Sequence, residues 1–92
     1  MSHVTWSRFA RDDLVRIRAA IRELSPKGAA RVGARVLELV RHLKLNPEMG
    51  KAGRMPGVRE LVITKTELIA LYVLDDERNV LILSVVSGRQ DR

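Results

Sequence analysis

A stretch rich in glycine and proline at residues 46–57, NPEMGKAGRMPG, separates two halves of the chain that have different hydrophobic periods. Its three glycines and two prolines interrupt helices and strands alike, so the sequence predicts a loop here. Before the loop, apolar residues recur every three or four positions, as on one face of a helix. After it come three short runs rich in β-branched and apolar residues, as in strands. Helices followed by strands favour an α+β fold.

Two helices are predicted before the loop. Ser7 is a suitable N-cap for the first, and Ser25-Pro26 provides a cap and an initial proline for the second. Because the connection between them is short, the helices should form an antiparallel hairpin. The apolar stripes expected to face the core are Ala10, Leu14, Ile17, Ile21 and Leu24 in the first helix, and Ala29, Val32, Val36, Val40 and Leu43 in the second, with Leu37 and Leu39 flanking the latter. Asp12 and Asp13 suit the dipole near the start of the first helix.

Three strands are predicted after the loop, in the runs VRELVI, ELIALYVL and NVLILSVV. Lys65-Thr66 is the expected tip of one hairpin, and residues 75–79 form the turn of the next, so neighbouring strands should be antiparallel. The middle run is apolar at both parities, as in a strand covered on both sides. The opening His3-Val4-Thr5-Trp6 should join a sheet edge. The predicted architecture is β-α-α-β-β-β, a two-layer α+β fold whose antiparallel sheet packs against an N-terminal helical hairpin.

The size and composition of the chain limit its class. With 92 residues, we expect a single domain, residues 1–92, with a small core and marginal stability. No run approaches the roughly 18 apolar residues of a membrane span, and the chain has no cysteine. These features lead us to expect a cytoplasmic protein that does not contact a membrane.

The net charge of +6 is unevenly placed. Residues 8–44 carry ten Lys and Arg against four Asp and Glu, whereas the remaining residues carry seven of each. The predicted helices therefore hold the whole cationic excess, which would attract an acidic partner.

Conventional catalytic and metal-binding motifs are absent from the sequence. His3 and His42 fall in unrelated predicted elements, and the chain has no cysteine ligands, so we expect no metal, no cofactor and no small-molecule substrate. Trp6 is interpreted as an anchor between sheet and helices.

Arg59 is the polar residue that most calls for a role, because it lies in an otherwise apolar predicted strand. Its guanidinium must reach water, pair with a carboxylate such as Glu67 or Asp91, or bind an anion or a carbonyl group. Glu60 should point to the opposite face of the sheet. A functional role and a structural ion pair both remain open for Arg59.

Several segments, taken in order, resemble a known family. The helical hairpin, the loop and strand NPEMGKAGRMPGVREL, the segment YVLDDERNVLILSVV and the closing GRQD are together similar to the RelE/ParE superfamily, the toxins of type II toxin–antitoxin pairs. This resemblance covers nearly the whole chain. It implies the two-layer fold described above and a cognate antitoxin as partner.

Two activities occur under this fold, so the resemblance alone does not choose between them. RelE-like members cleave messenger RNA on the ribosome, and for that activity the matching residues here would be Lys51, Arg54, Arg59 and Arg89. Such enzymes typically have a tyrosine or histidine near the carboxyl end, where this chain has Gln90 and Asp91. Tyr72, the single tyrosine, matches a core or sheet-face position common to both branches.

We therefore expect a ParE-like toxin that inhibits DNA gyrase without chemistry of its own. Its target contacts are expected at Arg59, Arg89, Gln90 and Asp91, and its antitoxin contacts at Arg11, Arg18, Arg22 and Arg35. The alternatives are a RelE-like endonuclease that acts on ribosome-bound messenger RNA, and a non-toxic relative that retains only antitoxin binding. An ordinary solvated helix face is the alternative explanation for the four helix arginines.

Overall fold

The computed structural model describes residues 2–88, which form two helices and five strands. The strands are β1 (Val4–Trp6), β2 (Lys51–Ala52), β3 (Arg59–Val62), β4 (Leu68–Leu74) and β5 (Val80–Ser87), and the helices are α1 (Arg8–Leu24) and α2 (Pro26–Leu45). They make a single sheet in the order β1-β5-β4-β3-β2, with the helical hairpin packed on one face. The predicted fold class is confirmed.

The predicted helix boundaries are also confirmed. Ser7 caps α1 by accepting a hydrogen bond from the Ala10 N–H, and Ser25 caps α2 by accepting one from the Gly28 N–H. Pro26 occupies the first position of α2, where its missing N–H leaves no helical bond unmade. The same Ser25 also ends α1, since its N–H donates to the Ile21 carbonyl. One residue thus separates the two helices, which forces the hairpin.

The core lies between the helices and the inner face of the sheet. It contains Ala10 of α1, the α2 residues Val32, Val36, Leu39 and Leu43, Ile63 directly after β3, and the strand residues Leu68, Ala70, Tyr72, Val80, Ile82 and Val85. Trp6 packs against this cluster as predicted. Two stripe assignments were wrong: Leu24, the last residue of α1, is 91% exposed, and Leu39 is buried whereas Val40 is only half-buried.

Two features of the sheet were not predicted. Residues 51–52 form the short edge strand β2 inside the segment interpreted as a loop, and β1 pairs with β5 in parallel rather than antiparallel. The middle strand β4 also differs from its prediction. Its inner residues Leu68, Ala70 and Tyr72 are buried under the helices, but Ile69 and Leu71 on the other face are only half-buried.

Side chains from α1 and its N-cap Ser7 hydrogen-bond to the part of β5 that lies beyond the end of β1. The chain leaves the sheet at Ser7, whose N–H donates to the Ile82 carbonyl and whose hydroxyl donates to the Leu83 carbonyl. Leu83 is the extra residue of a β-bulge, since Leu71 pairs with Ser84 and Tyr72 with Ile82. The next edge groups are taken by Asp13, which the sequence suggested only as a helix-dipole residue.

The Asp13 carboxylate links α1 to β5 through hydrogen bonds. Its Oδ2 accepts hydrogen bonds from the Ser84 hydroxyl at 2.9 Å and the Val85 N–H at 3.0 Å, and its Oδ1 pairs with Arg16 at 2.9 Å. Burial favours the neutral acid, but the bonds from Val85, Ser84 and Arg16 outweigh it and lower the pKa of Asp13 below its ordinary value. The charged form is therefore the one that stabilises the fold.

Replacing Asp13 with asparagine should lower the free energy of unfolding at pH 7 by about 1–2 kcal/mol, because the bonds from Ser84 and Val85 then end on a neutral acceptor and lose their charge assistance. Since the folded-state pKa is lowered, the carboxylate's contribution is present above the unfolded pKa of about 3.9 and is lost as the pH falls through the folded value. Urea unfolding at pH 7 and at low pH measures this, with Asp12→Asn on the exposed neighbour as control. A deficit of equal size at both pH values would contradict it.

Candidate functional site

The segment between α2 and β3 is ordered by backbone hydrogen bonds at both ends. At its start, the Asn46 N–H donates to the His42 carbonyl and the Met49 N–H to the Asn46 carbonyl. At its end, the Gly53 N–H donates to the Val58 carbonyl at 2.8 Å, which closes a turn over residues 53–58. Residues 47–50 are held in addition by side chains of the sheet.

Tyr72 holds the middle of this segment from inside the core. The residue is fully buried, and its hydroxyl donates to the Pro47 carbonyl and accepts from the Gly50 N–H, both at 2.8 Å. Burial raises the pKa of Tyr72 above its ordinary value, although the Gly50 bond and the nearby Arg59 charge act in the opposite direction. The hydroxyl therefore stays protonated near neutral pH and keeps its donor.

Arg59 holds the same segment from the neighbouring strand, where it lies opposite Tyr72. Its Nη1 donates to the Glu48 carbonyl at 3.1 Å and to the Gly50 carbonyl at 2.8 Å. Of the options open to this guanidinium, the structure shows carbonyl binding through Nη1. We call these two side chains, with their four bonds to residues 47–50, the Arg59–Tyr72 clamp.

Gly50 is required by the close approach of the clamp. A Cβ atom built on Gly50 would lie 2.7 Å from the Tyr72 Oη and 3.0 Å from the Glu60 carbonyl oxygen, and real Cβ atoms do not approach so closely. The Glu60 carbonyl is backbone and the Tyr72 ring is fixed in the core. A side chain at Gly50 would therefore break the clamp or displace the strand.

The end of the segment lines a recess on the sheet face that the helices leave uncovered. This recess has a volume of about 360 Å³, and its lining residues are Arg54, Met55, Val58, Glu60, Ile69, Leu71, Val86 and Ser87. Glu60 points away from Arg59, as predicted. Ile69, Leu71 and Val86 give the recess an apolar floor, and Arg54 and Glu60 are the charged residues beside it. Met55 is 57% exposed.

A second concave surface lies between the two helices and has a volume of about 500 Å³. Its lining residues are Leu14, Arg18, Ala30, Gly33, Ala34, Val36 and Leu37. We call it the helix groove. Its floor is apolar, and Leu37 is 68% exposed along it.

The structure separates the four arginines that were predicted to bind an antitoxin. Arg18 is committed within the hairpin, since its Nε donates to the Ala29 carbonyl at 3.2 Å and its guanidinium covers Gly33. Arg35 pairs with Glu38 at 3.3 Å on the same helix. Arg11 and Arg22 lie exposed on α1.

The remaining predicted site residues do not form one cluster in the described part of the chain. Lys51 is exposed on β2, and Arg54 is exposed on the turn beside the recess, whereas Arg59 faces the opposite side of the sheet. Arg89, Gln90 and Asp91 lie outside the described residues, and so does any pairing of Arg59 with Asp91. Within residues 2–88, no group of acidic or histidine side chains is arranged to hold a metal ion, and neither helix is long and apolar enough to cross a membrane.

Comparison with known proteins identifies the family. The family model described as the ParE toxin of type II toxin–antitoxin systems, parDE, matches residues 4–92. The chain belongs to the ParE toxin family. It is 36% identical over 87 residues to the Y4kP protein of Sinorhizobium fredii, covering 95% of this chain and 88% of that protein.

Solved structures give the same result for this ParE family member. The chain is similar to one in the chromosomal ParDE toxin–antitoxin system from P. aeruginosa, with a TM-score of 0.81, 26% identity and coverage of 95% of this chain and 96% of that one. A chain in the RelBE2 toxin–antitoxin complex from Mycobacterium tuberculosis gives a TM-score of 0.62 with 27% identity over 94% and 96% of the two chains. The E. coli RelBE complex, at 16% identity and a TM-score of 0.59 over 95% and 96%, shares the fold.

Replacing Gly50 with alanine should destabilise the protein by about 2 kcal/mol or more, because the added methyl group overlaps the Tyr72 hydroxyl and a strand carbonyl. Gly57→Ala is the matched control. That position has a positive φ of 81° but nothing within 4 Å of an added Cβ, so the cost there should be only about 1 kcal/mol. Urea unfolding of both variants checks this, and equal losses would show that Gly50 is not constrained by the clamp.

Proposed function

We propose that this ParE family member inhibits DNA gyrase, thereby blocks replication, and is neutralised in the cytoplasm by a cognate antitoxin. It acts by binding, without cleaving a substrate. The observation that carries the proposal is the position of Arg59. In a RelE-like enzyme this arginine would bind phosphate, but here its Nη1 is bonded to the Glu48 and Gly50 carbonyls of its own chain.

Two further observations support a binding toxin over a nuclease. The family match is to ParE, and the similarity to the ParDE structure, with a TM-score of 0.81, exceeds that to the two RelBE structures. In addition, Lys51, Arg54 and Arg59 do not converge on one point, whereas cleavage of RNA needs a base, an acid and cations around a single phosphate.

Purified protein should abolish ATP-dependent supercoiling of relaxed plasmid by gyrase at roughly stoichiometric toxin, because a binding inhibitor acts by occupancy. Gel electrophoresis of the plasmid measures the effect, and addition of the antitoxin in equal amount should restore supercoiling. Full supercoiling in the presence of excess toxin would refute gyrase as the target. Primer extension on translated messenger RNA then separates the alternatives: defined cuts indicate an endonuclease, and harmless expression without antitoxin indicates a non-toxic relative.

We further propose that the antitoxin binds the helical layer with an acidic, amphipathic segment. The helices hold the whole cationic excess of the chain, and the helix groove offers an apolar floor between them. Electrostatic attraction steers association, and apolar contact in the groove slows dissociation. Arg11 and Arg22 are the predicted contacts that remain available, whereas Arg18 and Arg35 act within the toxin.

The double replacement Arg11→Glu/Arg22→Glu should weaken antitoxin binding by about tenfold or more, mainly through slower association, because it puts like charges against an acidic segment. Surface plasmon resonance at two salt concentrations measures the affinity and its salt dependence. Arg31→Glu is the control, since Arg31 is an exposed α2 residue outside the helix groove. Unchanged affinity of the double variant would assign Arg11 and Arg22 to an ordinary solvated face.

A further inference from the structure

The Arg59–Tyr72 clamp uses unusually costly groups for a loop attachment. A fully buried tyrosine hydroxyl and a half-buried arginine are both expensive to desolvate unless they form hydrogen bonds. Here all four of their bonds converge on the backbone of residues 47–50. A loop that served only as a connection would not need this arrangement, because its carbonyls can bond to water.

The clamp is linked mechanically to the recess on the uncovered sheet face. From the clamped Gly50 the chain enters β2, which pairs with β3 through Lys51 opposite Glu60. The turn that follows is closed by bonds from the Gly53 N–H to the Val58 carbonyl and from the Val58 N–H to the Met55 carbonyl at 3.1 Å. Each step leaves little freedom, so fixing residues 47–50 fixes Met55 and Val58 in the wall of the recess.

We propose that Arg59 and Tyr72 are positioning residues for the toxic activity: they lock residues 47–50 to the sheet and so hold Lys51, Arg54 and Met55 in the arrangement that meets the target. The proposal rests on the proposed function for the identity of that target. Under it Arg59 never touches the target itself. This differs from the assignment of Arg59 as a target-binding or phosphate-binding residue.

The chemistry of the Arg59 bonds provides a sharp test. Both carbonyls are bonded by the single atom Nη1, at 3.1 Å and 2.8 Å. A lysine ammonium has three donors and can bond both carbonyls from one nitrogen, so Arg59→Lys should keep the clamp. The two-nitrogen fork that binds a phosphate cannot be replaced by lysine in this way. The conservative variant therefore distinguishes positioning from direct contact.

Amide hydrogen exchange of the full chain reads out the clamp directly. In Arg59→Met and in Tyr72→Phe, amides of residues 49–53 should exchange about tenfold faster or more, because local opening becomes easier, while those of β4, β5 and the helices stay unchanged. Arg59→Lys should remain within about threefold of the wild-type rates. Arg78→Met is the matched control, since the Arg78 guanidinium pairs with the exposed side-chain carboxylate of Glu48, at 3.4 Å, and not with the backbone carbonyls that Arg59 binds.

Toxicity is measured on the same variants, both as growth arrest on expression without antitoxin and as inhibition of gyrase supercoiling. Arg59→Met and Tyr72→Phe should lose potency by about tenfold or more, while Arg59→Lys and Arg78→Met stay within about threefold of wild type. Antitoxin affinity should be unchanged in all four variants, which shows that each is folded.

Each outcome decides the proposal. An inactive Arg59→Lys with normal exchange would mean that the guanidinium contacts the target, and unchanged exchange in Arg59→Met would mean that no clamp exists. Full toxicity with a loosened loop would remove the positioning role. If the wild type arrests growth but leaves gyrase active, the proposed function fails, and growth arrest still tests the clamp.

Discussion

Backbone groups that lie beyond the reach of a neighbouring strand must find partners elsewhere, and in this protein a few side chains supply them. The carbonyls and amides of residues 47–50 bond to Tyr72 and Arg59, and those at the free edge of β5 bond to Ser7 and Asp13. The sheet can therefore be short at both edges while these backbone groups remain hydrogen-bonded. Asp13 joins the first helix to the sheet, and the clamp joins the loop to it.

The helical layer and the uncovered face of the sheet are two surfaces with different properties. The helices carry the cationic excess and the helix groove, and the opposite sheet face carries the recess beside Met55 and Glu60. A partner attracted by charge and a target engaged through the loop would approach from opposite sides. An antitoxin that contacts the helices would then neutralise the toxin in one of two ways. It would sequester the whole protein, or it would extend around the edge of the sheet.

Periodicity and capping residues were sufficient to predict most of the fold, because these signals are local. Ser7, Ser25 and Pro26 indicate the helix boundaries, and short runs rich in β-branched and apolar residues indicate β3, β4 and β5. The unpredicted features depend on contacts between distant residues. Nothing near Asp13 indicates that a bulge at Leu83 will bring it the Val85 N–H, and nothing near Arg59 indicates that a loop eleven residues earlier will present its carbonyls. The parallel pairing of β1 likewise depends on where the chain returns.

The apolar character of β4 at both parities, which suggested cover on two sides, has a physical explanation in the loop. Helices bury one face through Leu68, Ala70 and Tyr72, while Ile69 and Leu71 on the other face share a recess with Met55 and Val58. The apolar residues on the outer face of β4 thus lie beside a loop whose own sequence has little preference for one conformation. Tyr72, on the buried side of the same strand, holds that loop in place, so one strand supplies both the apolar floor of the recess and the hydroxyl that fixes its wall.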